Sequence, residues 1–343
     1  MDISIVIPTK NRFHYIFKLI NYYDNINFKG TLIIIDSSDD DNLNKTINLI
    51  NSKKKININH IKFVGNEMAA KAKACSQINT KYVVQAGDDD YYCQRGLKEL
   101  IGFLDNHQEY ISASGYGYTV GYDLKKNKVK GSSRYKLFWS KKNTPIERMK
   151  ELSNRFYEHV ADYTVCRTGV FKNIFKNILI DDKKINIFIL REYWELTFKI
   201  YLFLQGKSCH INTFFIVRFR LKETGAAFTM NPSIIYKKDK KLFFKYYYYL
   251  MRRLHSTLKD FDIYEKDTLI LIRNMLKKKH LSYIEQQTRC LSKIKKIIKN
   301  FFNRTWTLYL RIKNRGKELE ILTDKNSSQY NEEFLKIIQG ILK

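Results

Sequence analysis

The chain has 343 residues, 44% of them hydrophobic, which is enough to bury a large core and excludes global disorder. Lys and Arg number 62 against 34 Asp and Glu, a formal net charge of +28, so the partners to expect are polyanions: nucleic acid, anionic lipid or phosphorylated substrates. Three prolines and 14 glycines exclude a linker-rich architecture, and no internal repeat of fixed period is present. The five cysteines (Cys75, Cys93, Cys166, Cys209, Cys290) are scattered, with no CxxC and no metal-ligand spacing, as in a cytosolic protein with reduced, mostly buried thiols.

Residues 3–7 (Ile-Ser-Ile-Val-Ile) form a strand-like run closed by Pro8-Thr9. Met1 runs straight into it, which leaves no room for a signal peptide and fits a cytoplasmic protein. Ile16, Leu19, Ile20 and Tyr23 then recur at helical spacing. A second apolar run, residues 32–35, ends at Asp36, and Leu43, Ile47 and Ile50 mark the next helix. Residues 56–64 read as a third strand, the alanine-rich 67–78 as a helix, 81–86 as a fourth strand, and Leu97, Leu100, Ile101 and Leu104 as a further helix. Continuous apolar strands alternating with helices predict an α/β fold with a mainly parallel sheet covered on both faces. Ligands of such sheets bind outside the carboxyl ends of the strands. Pro8, Thr9, Asp36 and the triplet Asp88-Asp89-Asp90 all follow strand ends, so this topology gathers them at one edge.

The middle of the chain is less regular. Residues 111–113 read as a strand, 116–133 as a hairpin or loop, 147–157 and 192–204 as helices, and 214–219 as a strand. Beyond Pro232 the pattern turns helical and basic. The expected division is therefore a catalytic domain at 1–232 and a basic, mostly helical region at 233–343. Residues 235–343 hold 26 Lys/Arg against 11 Asp/Glu.

Three adjacent aspartates repel one another, so Asp88–Asp90 call for compensating positive charge. One reading is a hard divalent cation that also holds a nucleotide diphosphate, since magnesium uses one or two carboxylates plus phosphate oxygens and waters. The other is an acidic helix N-terminus. A second triplet, Asp39-Asp40-Asp41, lies just before a helix and fits that second reading better. Asp36 either accepts bonds from a base or ribose, or caps the next turn. The turn Pro8-Thr9-Lys10-Asn11-Arg12 offers backbone amides and a guanidinium to phosphates. Glu192 and Glu195, three apart on a helix, share a face and are either general-base candidates or a cap and exposed pair. His159 with Asp162 three residues later suggests a catalytic pair, but a satisfied structural histidine is the preferred reading, and the seven histidines show no ligand spacing.

Together these pieces resemble family 2 glycosyltransferases of the GT-A fold. Ile5-Val6-Ile7-Pro8-Thr9-Lys10-Asn11-Arg12 is similar to the family's opening strand and turn, and Ile33-Ile34-Ile35-Asp36-Ser37-Ser38 to its second strand. Asn66, Ala70 and Ala74 fall where the family has a small-residue helix, the stretch 82–90 resembles its DxD region, and 191–206 resembles the segment where an acidic pair opens a helix ending at a glycine. The likeness covers roughly residues 1–225.

The resemblance implies inverting transfer of a sugar from a nucleotide-diphosphate sugar to a hydroxyl of a glycan or lipid-linked acceptor, with a divalent metal (Mn2+ or Mg2+). Pro8, Thr9, Asn11, Arg12, Asp36 and Asp88 would bind donor, Asp89 and Asp90 the metal, and Glu192 or Glu195 would be the base. Two departures stand out. The aspartate usually assigned as base is Tyr193 here, and the family's metal-associated histidine near 218–223 is missing, with Glu223 the nearest acid.

The basic region mixes aromatics with cations at 243–253 and carries an amphipathic basic stretch at 294–302. It suits either an ordinary helical unit packed on the catalytic domain, a peripheral contact with anionic lipid at the inner face of a membrane, or a homo-oligomer interface. A basic nucleic-acid-binding protein is the competing class. It leaves the post-strand aspartates unexplained and lacks any recognised binding motif, so no nucleic-acid partner is expected. A nucleotidyltransferase on a similar sheet is disfavoured by the missing glycine-rich, lysine-containing opening loop.

Overall fold

The computed structural model describes residues 1–123, 128–137, 139–154, 162–177 and 187–221. The boundary at Pro232, the basic region, His159 and Glu223 lie outside the described residues.

The first half is a repeated strand–helix alternation: β1 (Ile3–Thr9), α1 (Phe13–Asn25), β2 (Thr31–Asp36), α2 (Asp40–Asn51), β3 (Asn57–Lys62), α3 (Glu67–Ala74) and β4 (Tyr82–Gln85). β1 lies between β2 and β4, β3 flanks β2, and all these pairings are parallel. β1, β2 and β4 are buried almost throughout, which is why the sequence shows unbroken apolar runs there, while β3 at the sheet edge is only partly buried. Ile3, Ile5, Ile7, Leu32, Ile34, Tyr82 and Val84 point into one core, and Val6, Ile33, Ile35 and Val83 into the other. The first core takes the apolar stripes of α1 and of α4 (Gln94–Asn106), and the second takes Ala70 and Ala74 of α3. Asn66 caps α3, its carboxamide oxygen accepting from the Met68 and Ala69 amides.

The second half extends the sheet with β5 (Asp90–Tyr92), β6 (Tyr110–Asp123), β7 (Lys128–Lys136), β8 (Val165–Arg167) and β9 (Lys207–Leu221), and adds α5 (Pro145–Asn154), α6 (Thr168–Asn177) and α7 (Ile187–Gln205). The strand order is β3-β2-β1-β4-β8-β6-β9-β5, with β7 on β6 as a hairpin. β8 runs antiparallel to β4 and β6, β9 parallel to β6, and β5 antiparallel to β9. The α/β expectation and its parallel first half are borne out. The antiparallel insertions come from strands of three residues, too short to carry a periodic signal.

Two features of this half position the rim. α4 presses on β9 so closely that a β-carbon on Gly96 would lie 2.1 Å from the Phe214 carbonyl oxygen and 2.7 Å from the Phe215 Cα. Backbone cannot yield cheaply there, so Gly96→Ala should destabilise the fold by about 1–3 kcal/mol, the usual cost of overpacking, read as a lowered urea midpoint at unchanged slope. α7 ends just before β9, whose Lys207 pairs with Tyr110 at the start of β6. That is the sheet edge opposite the carboxyl ends of β1, β2 and β4, so the N-terminal half of α7 lies toward those carboxyl ends.

The 192–204 helix expectation needs one correction. α7 begins at Ile187, so Glu192 sits inside the helix and no acidic residue occupies its first turn. Ile187, Phe188, Ile189 and Leu190 extend the apolar helix toward the N-terminus ahead of the acids. Among the described residues no helix is long and apolar enough to cross a membrane, and Cys93, Cys166 and Cys209 are buried free thiols.

Candidate active site

The carboxyl ends of β1, β2 and β4 meet as the alternation predicts. Thr9 is level with Asp36, and the Ser37 amide donates to the Thr9 carbonyl at 2.9 Å. Asn11 takes a left-handed conformation (φ 53°), which asparagine tolerates. From there its amide donates to Ser38 Oγ at 2.7 Å and its side-chain oxygen accepts from the Asp39 amide at 2.8 Å. Asn11 therefore ties the first strand–helix turn to the second. Pro8 is half-buried in β1, level with Ile35.

Asp36 is fully buried. Burial works to raise its pKa, but a hydrogen bond with His60 Nε2 (3.3 Å) and one from the Ser38 amide (2.9 Å) outweigh that and hold it below the usual range. It is a fixed carboxylate at the end of β2. His60, from β3, is a partner that its position in the sequence did not reveal. Asp39, by contrast, caps α2, accepting from the Asn42 amide at 3.0 Å, as expected of the second triplet.

The first triplet is no helix cap. Asp88 and Asp89 lie in the turn after β4, and Asp90 opens β5. The turn is tight: the Asp90 amide donates to the Gly87 carbonyl at 3.2 Å and the Gly87 amide to Asp90 Oδ2 at 2.9 Å. Asp88 and Asp90 are buried. Arg12 reaches across from the first turn, placing Nη1 3.1 Å from Asp88 Oδ1 and Nη2 3.0 Å from Asp89 Oδ2, with its guanidinium 4.0 Å over the Tyr15 ring. The Thr9 hydroxyl donates to Asp88 Oδ2 at 2.8 Å. On the other side Asp90 is level with Arg218 of β9, whose Nε lies 3.4 Å from Asp90 Oδ1 and whose guanidinium covers Tyr163 at 4.1 Å. Part of the charge compensation demanded by the sequence is thus supplied by two arginines.

It is incomplete. Burial pushes the Asp88 carboxyl up to about 7, Arg12 and Thr9 opposing and Asp89 and Asp90 reinforcing the rise. Asp89 is raised too, by burial and then by Asp90, against Arg12.

Gly87 leaves room above the turn. A β-carbon there would sit 2.9 Å from Asp89 Oδ1 and 3.0 Å from Asp90 Oδ2, so two oxygens from different carboxylates converge on space that any other residue would fill. Hard oxygen donors in that number suit a magnesium-like ion that completes its shell with phosphate oxygens and water. The donor set fits such an ion at Asp89 and Asp90. Among the described residues no group of three or more His, Cys, Asp or Glu is arranged as an all-protein cage.

The expected catalytic pair is on α7: Glu195 is exposed, and Glu192 lies in the same N-terminal half of the helix. Two further charged residues belong to this neighbourhood and were not singled out for chemistry. Arg218 is placed by cross-strand register, which no local pattern encodes. Asp162 lies just before β8 and pairs with Lys199 of α7 at 3.3 Å.

The model of glycosyl transferase family 2 matches residues 4–179, which takes in β1 through α6. The chain belongs to glycosyl transferase family 2, and by that membership it is a glycosyltransferase with a GT-A-like fold. Among solved structures it is similar to S. aureus TarS, with 16% identity and a TM-score of 0.51 over 80% of this chain and 43% of that one. It is also similar to S. aureus TarS 1-349, with 12% identity and a TM-score of 0.51 over 100% of this chain and 89% of that one. The chain therefore spans under half the length of the longer TarS structure, and at these identities the likeness is one of fold. No curated protein sequence matches it.

Proposed function

We propose that the chain transfers a sugar, with inversion, from a nucleotide-diphosphate sugar to a hydroxyl of a glycan or lipid-linked acceptor. The observation that carries this reading is the convergence of Thr9, Arg12, Asp36 and the Asp88–Asp90 turn at the carboxyl ends of three adjacent parallel strands. Asp36, held ionised and buried, accepts hydrogen bonds from the donor's base or ribose. Pro8, Thr9 and Asn11 shape the floor of that pocket. Arg12 is poised between the acidic turn and an incoming diphosphate, an oxyanion that a guanidinium binds through charge-assisted hydrogen bonds.

Asp89 and Asp90 would hold a divalent ion, Mn2+ or Mg2+, which when bound neutralises charge on a leaving diphosphate. Thr9 and Arg12 keep Asp88 oriented beneath them. Arg218 stands beside Asp90, in the segment where the family's histidine was expected, and adds a fixed positive charge to the same rim. The acceptor's proton goes to a carboxylate on the α7 side of the rim, where Glu192, Glu195 and Asp162 are found.

The basic region beyond residue 232 is proposed to contact an anionic membrane or a second copy of the chain, which would serve a lipid-linked acceptor. Flotation with liposomes should then increase with the fraction of anionic lipid, and indifference to lipid charge would count against it.

A donor screen tests the main reading. Nucleotide sugars in the presence of manganese should raise the apparent melting temperature of the native chain, because a ligand that binds only the folded state stabilises it by mass action. Asp36→Ala should lose most of that shift. An equal shift in the variant would place the nucleotide elsewhere.

A further inference from the structure

The α7 side of the rim holds a charge cluster separate from the acidic turn. Asp162 pairs with Lys199 at 3.3 Å, and about a quarter of its side chain stays exposed. Glu195 of α7, one turn before Lys199, and Lys71 of α3 complete its electrostatic surroundings. Lys71 itself pairs with Glu67 at 2.7 Å.

The position of Asp162 follows from the strands beside it. β8 pairs antiparallel with β4, Cys166 opposite Val83 and Arg167 opposite Tyr82. The Tyr92 hydroxyl, within 2.7 Å of the Gln85 carbonyl and 3.5 Å of the Tyr163 carbonyl, holds the two segments together beyond the last paired residues. Tyr163 in turn lies under Arg218, which contacts Asp90. Lys199 of α7 and Lys71 of α3 place Asp162 on the α3 and α7 side of the sheet. A partly exposed carboxylate thus sits one residue from the tyrosine that borders the acidic turn.

We propose that Asp162, rather than either glutamate of α7, takes the proton from the attacking hydroxyl, with Lys199 as the residue that positions it. The assignment rests on the transferase reading above and deepens it. The hydroxyl oxygen forms a bond to the anomeric carbon while the bond from that carbon to the diphosphate oxygen breaks. The bonding pair leaves with the diphosphate, and the hydroxyl proton passes to the Asp162 carboxylate. Burial raises the Asp162 carboxyl to about 6, with Lys199 and Lys71 opposing and Glu195 reinforcing the rise. A base so tuned is ionised at neutral pH yet still basic enough to accept a proton.

The experiment follows nucleoside diphosphate released from UDP-, GDP- and dTDP-linked hexoses, with water as the nucleophile, between pH 4.5 and 8.5. The native chain should lose activity on the acid side as Asp162 and, independently, Asp88 take up protons. Asp162→Asn should lower kcat by about 10²–10⁴-fold with donor KM within about threefold. Lys199→Met keeps the carboxylate and removes the cation, so its acid limb should move to higher pH, a shift that also tests the assignment should Asp162→Asn fail to fold. The proposal is overturned if the kcat of Asp162→Asn stays within about threefold of native, if Lys199→Met leaves the limb in place, or if Glu192→Gln or Glu195→Gln lowers kcat as far as Asp162→Asn. No release from any donor by the folded native chain would instead contradict the transferase reading, and this assignment with it.

Discussion

Replacing Asp90 by alanine should lower transfer by about 10³-fold or more while leaving a folded protein. Two consequences add. The variant loses one of the two carboxylate oxygens that converge above Gly87, and with it the proposed means of holding a cation against the leaving diphosphate, where charge stabilisation is usually the largest part of catalysis. It also frees the Gly87 amide and leaves Arg218 Nε without its carboxylate, so the turn after β4 loses its inner fastening. Asp90→Asn separates the two effects. An amide oxygen can still accept from Gly87 and so keep the turn, but it carries no charge for a cation. The asparagine variant should therefore melt close to the native protein and remain nearly as inactive as the alanine variant. Its Mn2+-induced thermal shift should disappear, which reads the metal site independently of turnover. Near-native turnover in both variants would remove Asp90 from the chemistry.

Arg12 should have the largest effect on stability, and the effect should depend on pH. Its guanidinium joins two turns that are 77 residues apart in sequence. Arg12→Met would leave the buried Asp88 and the half-buried Asp89 without a cation. Breaking such a pair costs roughly 3–5 kcal/mol when both partners are fully buried; with Arg12 about a third exposed, roughly 2 kcal/mol is expected. The sign of the pH dependence follows from Asp88, whose folded-state pKa is about 7 and lies above the ordinary carboxylate value. Arg12 stabilises only the ionised form. Its contribution is therefore present above about pH 7 and fades as the pH falls below it, where the folded state keeps the proton. Denaturation of native and Arg12→Met proteins at pH 5 and pH 8 should show a small difference at pH 5 and the full loss at pH 8. Adding Asp88→Asn to Arg12→Met should recover much of the deficit at pH 8. A destabilisation equal at both pH values would mean that Arg12 acts through packing on Tyr15 instead.

The parallel half of the fold was legible because β1, β2 and β4 are buried on both faces, so their apolar runs are unbroken and end in turn chemistry. The two aspartate triplets were separable for the same reason. Asp39 stands a few residues beyond its strand and caps α2, while Asp88 follows Gly87 directly after β4. The antiparallel half was legible only in part: the strands at 111–113 and 214–219 and a hairpin or loop at 116–133 were read, but the short strands were not. β5 and β8 are three residues each, and β5 is held by β9, whose Arg218 is 128 residues from Asp90. That distance hid the partnership of Arg218 with the triplet. α6 carried a signal that was passed over: Phe171, Ile174 and Phe175 recur at helical spacing and are all buried. The start of α7 was placed too late because its first turn is apolar and holds no acidic residue. Asp162 was noticed only as a sequence neighbour of His159, and that pair was set aside in favour of a structural histidine. The significance of Asp162 comes from the register of β8 on β4 and from Lys199 on a helix reached much later in the chain.

At bottom the account claims that charged groups from the ends of separate strands form one seat for an activated sugar. The direct measurement is to incubate the full chain and Mn2+ with a panel of nucleotide sugars and identify the nucleotide product. Free nucleoside diphosphate should appear from at least one donor and vanish with Asp90→Asn. Pyrophosphate as the product, or a folded chain that neither binds nor consumes any donor, would contradict it.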